Sequence, residues 1–211
     1  MTTETTGCAK KSRGRPKVFD REAALDKAMT LFWQHGYEAT SLSDLVEATG
    51  AKAPTLYAEF TNKEGLFRAV LDRYISRFAA KHEAQLFCEE KTVEQALQDY
   101  FCAVATCFTS KDTPAGCFMI NTSATLAASS KEIANTVKSR HAMQEETLST
   151  FLAQRQQRGE IPAHCRPQEL AQYLSCILQG MSISAREGAT LEKLQGITQI
   201  TLRLWPELLK L

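Results

Sequence analysis

Apolar positions recur every three to four residues through most of this chain, and no stretch alternates long enough to build a sheet, so the pattern predicts an all-α protein. The first helix starts after Asp20, a good N-cap, sets Leu25, Ala28, Met29 and Phe32 on one face, and ends at Gly36. A second covers 41–49, where Ser41 caps and Asp44 takes the carboxylate place of a capping box before Gly50 stops it. Ala53-Pro54-Thr55-Leu56-Tyr57 opens a third short helix, with proline tolerated in its first turn. Two short helices joined by a tight glycine turn are a helix-turn-helix pattern. A fourth helix is expected from a box of Thr61 and Glu64 through Leu66, Phe67, Val70, Leu71 and Tyr74 to Phe78.

Beyond residue 80 the helices lengthen. Thr92 with Gln95 caps a helix reaching Phe108, and residues 112–116 break it. Another begins near Cys117 and fades at Ala127 and Ala128, and Ser129 with Glu132 opens one of about 30 residues, roughly 45 Å, ending at Gly159. Arg166-Pro167 starts the next, which closes at Gly188, and Thr190 opens the last, which reaches Trp205 and stops before Pro206. The last helix is apolar on more than one side: Leu191, Leu194 and Thr198 face one way, Ile197, Ile200 and Leu204 another. A large monomer core would account for this; the reading taken is a homodimer joined through the last two long helices.

Charge changes the picture once the chain is divided. The 211 residues carry 25 Lys and Arg against 24 Asp and Glu, a net +1, which excludes a uniformly basic nucleic-acid binder. Yet residues 1–17 hold Lys10, Lys11, Arg13, Arg15 and Lys17 against Glu4 alone, a surplus of +4, while the remainder sums to −3. The expected organisation is a flexible basic arm at 1–17, a helix-turn-helix domain at 18–66 and a larger helical effector and dimerisation domain at 67–211. No run is long and apolar enough for a membrane span or a signal peptide, so the expected location is cytoplasmic, with no membrane partner. Seven cysteines, odd in number and without Cys-x-x-Cys spacing, argue against a disulfide framework or a closed structural zinc site.

Phe32, Gly36, Tyr37, Thr40, Ser41, Asp44, Leu45, Ala48, Gly50, Thr55, Leu56, Tyr57, Phe60, Lys63, Glu64 and Leu66 stand in the order and spacing of a known pattern. Residues 20–66 thereby resemble the DNA-binding domain of the TetR/AcrR family of bacterial transcriptional repressors. The resemblance implies an all-helical fold, a dimer on a palindromic double-stranded operator, and release by an effector bound to the variable helical body. Lys52, Pro54 and Glu59 depart from the usual family residues, and Glu59 would set an anion where a phosphate-facing group is common.

In such a motif the second helix enters the major groove. Pro54 offers an apolar contact and Thr55 a tolerant hydroxyl, and Lys52 reaches a guanine or a phosphate. Thr40, Ser41, Tyr57 and Lys63 are the expected phosphate clamp, against plain interhelix packing for Tyr57 and a solvated surface lysine for Lys63. Arg13 and Arg15 are expected in the minor groove, with a non-specific electrostatic tail as the alternative.

For the effector, soft thiolate and thioether ligands favour copper(I). The candidates are Cys107, Cys117, Met119, Cys176 and Met181, with His141 as packed core instead of a ligand the more economical reading. Cys107 and Cys117 flank a turn that can bring them together and are the expected metal pair. Cys102 and Cys107 sit about 140° apart on one helix and cannot converge. Cys117 at a helix start also suits oxidant or electrophile sensing through a lowered thiol pKa. No cofactor is required for DNA binding. Enzymatic activity is not expected, because the chain has no nucleophile elbow, zinc-protease or phosphate-loop motif. A DNA-binding factor acting through protein partners remains the other class.

Overall fold

The computed structural model describes residues 19–123 and 131–210; the basic arm lies outside them. Every regular element among the described residues is helical. Helix α1 (Arg21–Ala39) starts where Asp20 accepts a hydrogen bond from the Ala23 amide at 3.0 Å. Gly36 does break its geometry, with φ 80°, but one more turn follows to Ala39. Helix α2 (Leu42–Thr49) carries the expected capping box: Ser41 Oγ accepts from the Asp44 amide at 3.1 Å and Asp44 accepts from the Ser41 amide at 2.7 Å. Gly50 then turns left-handed at φ 68° and donates to the Val46 carbonyl. Helix α3 (Ala53–Phe60) follows, with Pro54 in its first turn.

The start of α4 (Lys63–Tyr74) differs from expectation. Its cap is Asn62, whose side chain accepts from the Gly65 amide at 2.8 Å. Thr61 cannot cap because it closes α3 instead, with its amide on the Tyr57 carbonyl and φ at 68°; Glu64 pairs with Arg68 at 2.6 Å. The helical path also continues past Phe78, through a wider π turn (Ile75–Ala79) into α5 (Ala80–Glu83).

Helix α6 (Val93–Phe108) keeps its Thr92/Gln95 box, and α7 (Phe118–Ser123) is short. The expected extension of α7 to 127–128 and the Ser129 cap fall outside the described residues. The long helix is α8 (Lys131–Gln157), followed by α9 (Pro167–Arg186) and α10 (Leu191–Leu208). Helix α10 continues through Pro206 instead of stopping before it. Pro206 is exposed near the helix end, where the absence of one backbone hydrogen bond is tolerable, while the buried Trp205 fixes the turn.

The two parts share one core. Helix α4 packs on α1 through Phe67 and Phe32, and on α7 through Phe67 and Tyr74 against Phe118. Trp33 of α1 sits edge-on to Tyr74 at 5.1 Å, to Phe78 at 5.7 Å and to Phe118 at 6.1 Å, so α1 touches the body directly. Polar ties reinforce this. Arg73 grips Asp26 of α1 at 2.7 and 2.8 Å and also pairs with Glu22, which holds the Asp26 carboxyl below its ordinary pKa. Arg140 of α8 reaches Asp72 at 2.6 Å, and Arg68 reaches Glu132 at 3.2 Å.

Helices α8 and α9 pair most extensively, and α10 lies on α6. The buried Arg155 near the end of α8 donates to the Lys91 and Cys88 carbonyls, both at 2.8 Å, and pairs with Glu160. On α10 the two stripes separate. Leu194 and Thr198 are buried in the monomer, whereas Ile200 and Leu204 are 59% and 46% exposed, as is Ile183 of α9 at 51%.

Candidate nucleic-acid interface and effector site

Helix α3 is anchored by the buried Leu56 and Phe60 and turns Lys52, Pro54 and Tyr57 outward, with Thr55 half-buried between them. Lys52 occupies the N-cap position without a capping hydrogen bond from its side chain. Ser41 is exposed beside this face, and its hydroxyl accepts from Asp44 while keeping its own proton to donate. Lys63 lies 4.3 Å from the ring centroid of Tyr37, a cation–π contact; burial draws its ammonium below the usual lysine range.

Thr40 does not join this surface. It is buried, and its hydroxyl donates to the Gly36 carbonyl at 2.8 Å, bracing the α1 kink instead of reaching outward. Glu59 meets a cation: Arg21 Nε pairs with it at 2.7 Å, and the same guanidinium stacks on Phe60 at 5.3 Å. The sequence reading missed Arg21 and Tyr37 in these roles. Arg13 and Arg15 lie outside the described residues.

On the effector side, the Gly116 amide donates to the Phe108 carbonyl at 2.9 Å and closes the loop between α6 and α7. That turn brings Cys107 and Cys117 into each other's electrostatic range. Cys117 is wholly buried. Its amide donates to Ser182 Oγ of α9 at 2.8 Å, and its Sγ lies 3.4 Å from the Tyr74 hydroxyl in a hydrogen bond. Gly116, at φ 79°, passes so close to the Ser182 carbonyl that a side chain there would clash. Asn121 donates to the Ala115 carbonyl at 3.0 Å, closing the loop.

The thiol chemistry departs from expectation. Burial pushes the Cys117 thiol above its ordinary pKa, and the favourable Tyr74 hydroxyl and the Ile120 and Met119 amides do not offset it. Cys107 is pushed up to about 11, by burial first and its thiol neighbour second. Helix α7 therefore supplies no net activation of Cys117 as a nucleophile.

Met119, two residues after Cys117, is buried and borders a separate cavity of about 70 Å³ with Ile75, Glu83 and Met143. Cys176 is exposed on α9, and Met181 is buried on the same helix. His141 borders a cleft of about 370 Å³ between α8 and α9 that no thiol among the described residues lines; burial lowers its pKa, and its Nε2 has no hydrogen-bond partner among them. Cys107 and Cys117 flank one turn, within electrostatic range of each other, while Cys176 is exposed on α9 and His141 lines the cleft between α8 and α9. Among the described residues no three His, Cys, Asp or Glu side chains converge as a metal cage.

Residues 24–70 match the family described as bacterial regulatory proteins, tetR family, and residues 93–198 match the tetracyclin repressor-like C-terminal domain. The chain belongs to the TetR family. It is 79% identical over 210 residues to the HTH-type transcriptional repressor ComR of Escherichia coli (strain K12), covering 100% of both chains. It is also 30% identical to the HTH-type transcriptional repressor BdcR of the same strain, over 86% of each. Among solved structures, a cysteine-substituted CifR, a TetR family transcriptional regulator complexed with 26-bp double-strand operator DNA, superposes with a TM-score of 0.86 at 29% identity, covering 91% of this chain and 100% of that one. As a TetR-family member the chain is a DNA-binding transcription regulator, not an enzyme. No helix among the described residues is long and apolar enough to cross a membrane.

Proposed function

We propose that this TetR-family protein represses transcription as a homodimer on a palindromic operator and leaves the DNA when copper(I) occupies Cys107 and Cys117. The observation that carries the DNA half is the outward edge of α3, where Lys52, Pro54 and Tyr57 stand clear of the core, with the exposed Ser41 capping α2 and Lys63 opening α4. A helix exposed in this way offers side chains to base edges while flanking hydroxyls and an ammonium take phosphates. The operator complex of CifR and the repressor names of ComR and BdcR support the same reading. In a dimer two such helices stand roughly 34–36 Å apart, one turn of the duplex. Arg13 and Arg15 then extend the interface into the minor groove.

Two thiols flanking one turn suit a soft monovalent cation, which displaces their protons without needing a pre-ionised nucleophile. That favours metal over oxidant or electrophile sensing, because burial raises both thiol pKa values. The effector is recruited only to its site and is not needed for folding or DNA binding.

The test is operator binding by purified protein with copper(I) and hydrogen peroxide varied separately, followed by metal counting on the protein. Copper bound with loss of the operator, abolished by Cys117→Ser, is the expected result. Release by peroxide alone, still dependent on Cys117, replaces the metal reading with the oxidant one.

A further inference from the structure

The Cys117 loop is fastened to α9 on one side and touches the end of α4 on the other. Its main chain is pinned to α9 by the Cys117 amide on Ser182 Oγ at 2.8 Å, and Gly116 has no free space toward the Ser182 carbonyl. Its sulfur meets the Tyr74 hydroxyl at 3.4 Å. Tyr74 is the last residue of α4 proper, and the wider π turn begins at the next position. A π turn inside a helical path is rare and is frequently found at functional sites. On the far side the Tyr74 ring packs against Trp33 of α1, so the DNA-binding part is one ring away.

We infer that Tyr74 is the positioning residue through which occupation of the Cys117 sulfur is passed to α1 and α4. When a soft cation binds, an S–metal bond forms, the S–H bond breaks and its proton leaves to the buffer; no electron changes hands. The thiol then loses its donor proton and gains a bulky substituent in a wholly buried place. The backbone side cannot yield because Ser182 holds it. The displacement falls on the Tyr74 hydroxyl, and its ring carries it to Trp33 and the π turn. An equilibrium shifts only when a ligand distinguishes two arrangements, and this hydrogen bond supplies the distinction. The inference rests on Cys117 as the effector residue but not on the identity of the ion.

Full-length wild-type, Tyr74→Phe and Cys117→Ser proteins are compared for operator Kd with and without copper(I), and in parallel with methylmercury, which caps a single thiol. Chelator competition measures copper binding independently. Tyr74→Phe keeps the ring, so metal-free operator Kd stays within about twofold of wild type, the scale of a mild substitution. Its copper binding is unchanged, while the Cys117-dependent release shrinks by about tenfold, the ordinary scale of coupling between sites. If copper fails to bind but methylmercury gives release that needs both Cys117 and Tyr74, the copper reading falls and the relay stands. If either probe binds and releases Tyr74→Phe as fully as wild type, or no Cys117-dependent release occurs with either, the relay is overturned.

Discussion

Glu59 shows how one residue's meaning depends on a neighbour 38 positions away. Alone it is an anion on a DNA-reading helix; paired with Arg21 it is half of a neutral couple on the edge of that helix. Glu59→Gln is therefore expected to free Arg21 and tighten operator binding, by a factor of about two to five at low salt, as read by fluorescence anisotropy. Tyr57→Ala should weaken binding by about tenfold, the scale of removing one hydrogen bond to a phosphate, with thermal stability nearly unchanged because the side chain is exposed. At the thiols the sign follows from protonation. Both are held protonated at neutral pH by raised pKa values, so copper must displace the protons, and its apparent affinity should rise by about two decades per pH unit between about pH 6 and 8. A slope near zero in a pH series of chelator competitions contradicts a two-thiol site. The α6–α7 turn was legible from Gly116 and the flanking cysteines, whereas Tyr74 and Ser182 were not: they lie 43 and 65 residues from Cys117 and are brought to it only by tertiary packing.

Elements with local causes were readable and those with distant causes were not. The boxes of Ser41 with Asp44 and of Thr92 with Gln95 close within one helical turn, so the sequence alone carries them. Thr61 with Glu64 has the same spacing, yet the way α3 ends forces Thr61 to positive φ and hands the cap to Asn62. The π turn after Tyr74 has no sequence mark. Pro206 failed as a stop because proline breaks a helix only where the missing hydrogen bond matters. Gly50 belongs to the readable group. With φ at 68° and open space around it, Gly50→Ala meets no clash but bears the left-handed strain of an L residue, a loss of about 1 kcal/mol measurable by urea unfolding.

At the scale of the whole molecule, the charge is divided between an arm of +4 at residues 1–17 and a body of −3. Removing residues 1–17 should weaken operator affinity and reduce the salt slope of log K by about 0.9 for each phosphate that the arm no longer neutralises. An unchanged slope excludes the arm. The outward stripe of Ile200 and Leu204, with the exposed Ile183 of α9, is the surface expected to close the dimer. Ile200→Glu with Leu204→Glu should leave helicity intact while sedimentation reports a monomer that no longer binds a full palindrome.

Trp33 gives the junction between the two parts a signal of its own. Its indole Nε1 is buried without a hydrogen-bond partner among the described residues, and three aromatic rings pack edge-on around the indole. Such an indole emits at short wavelength and responds to small changes in those rings. The chain has 2 tryptophans, so Trp205→Phe leaves one emitter, placed where α1, α4 and α7 meet. Its colour and intensity then follow, without any attached dye, whether that meeting point stays dry and packed as DNA or a metal ion is added.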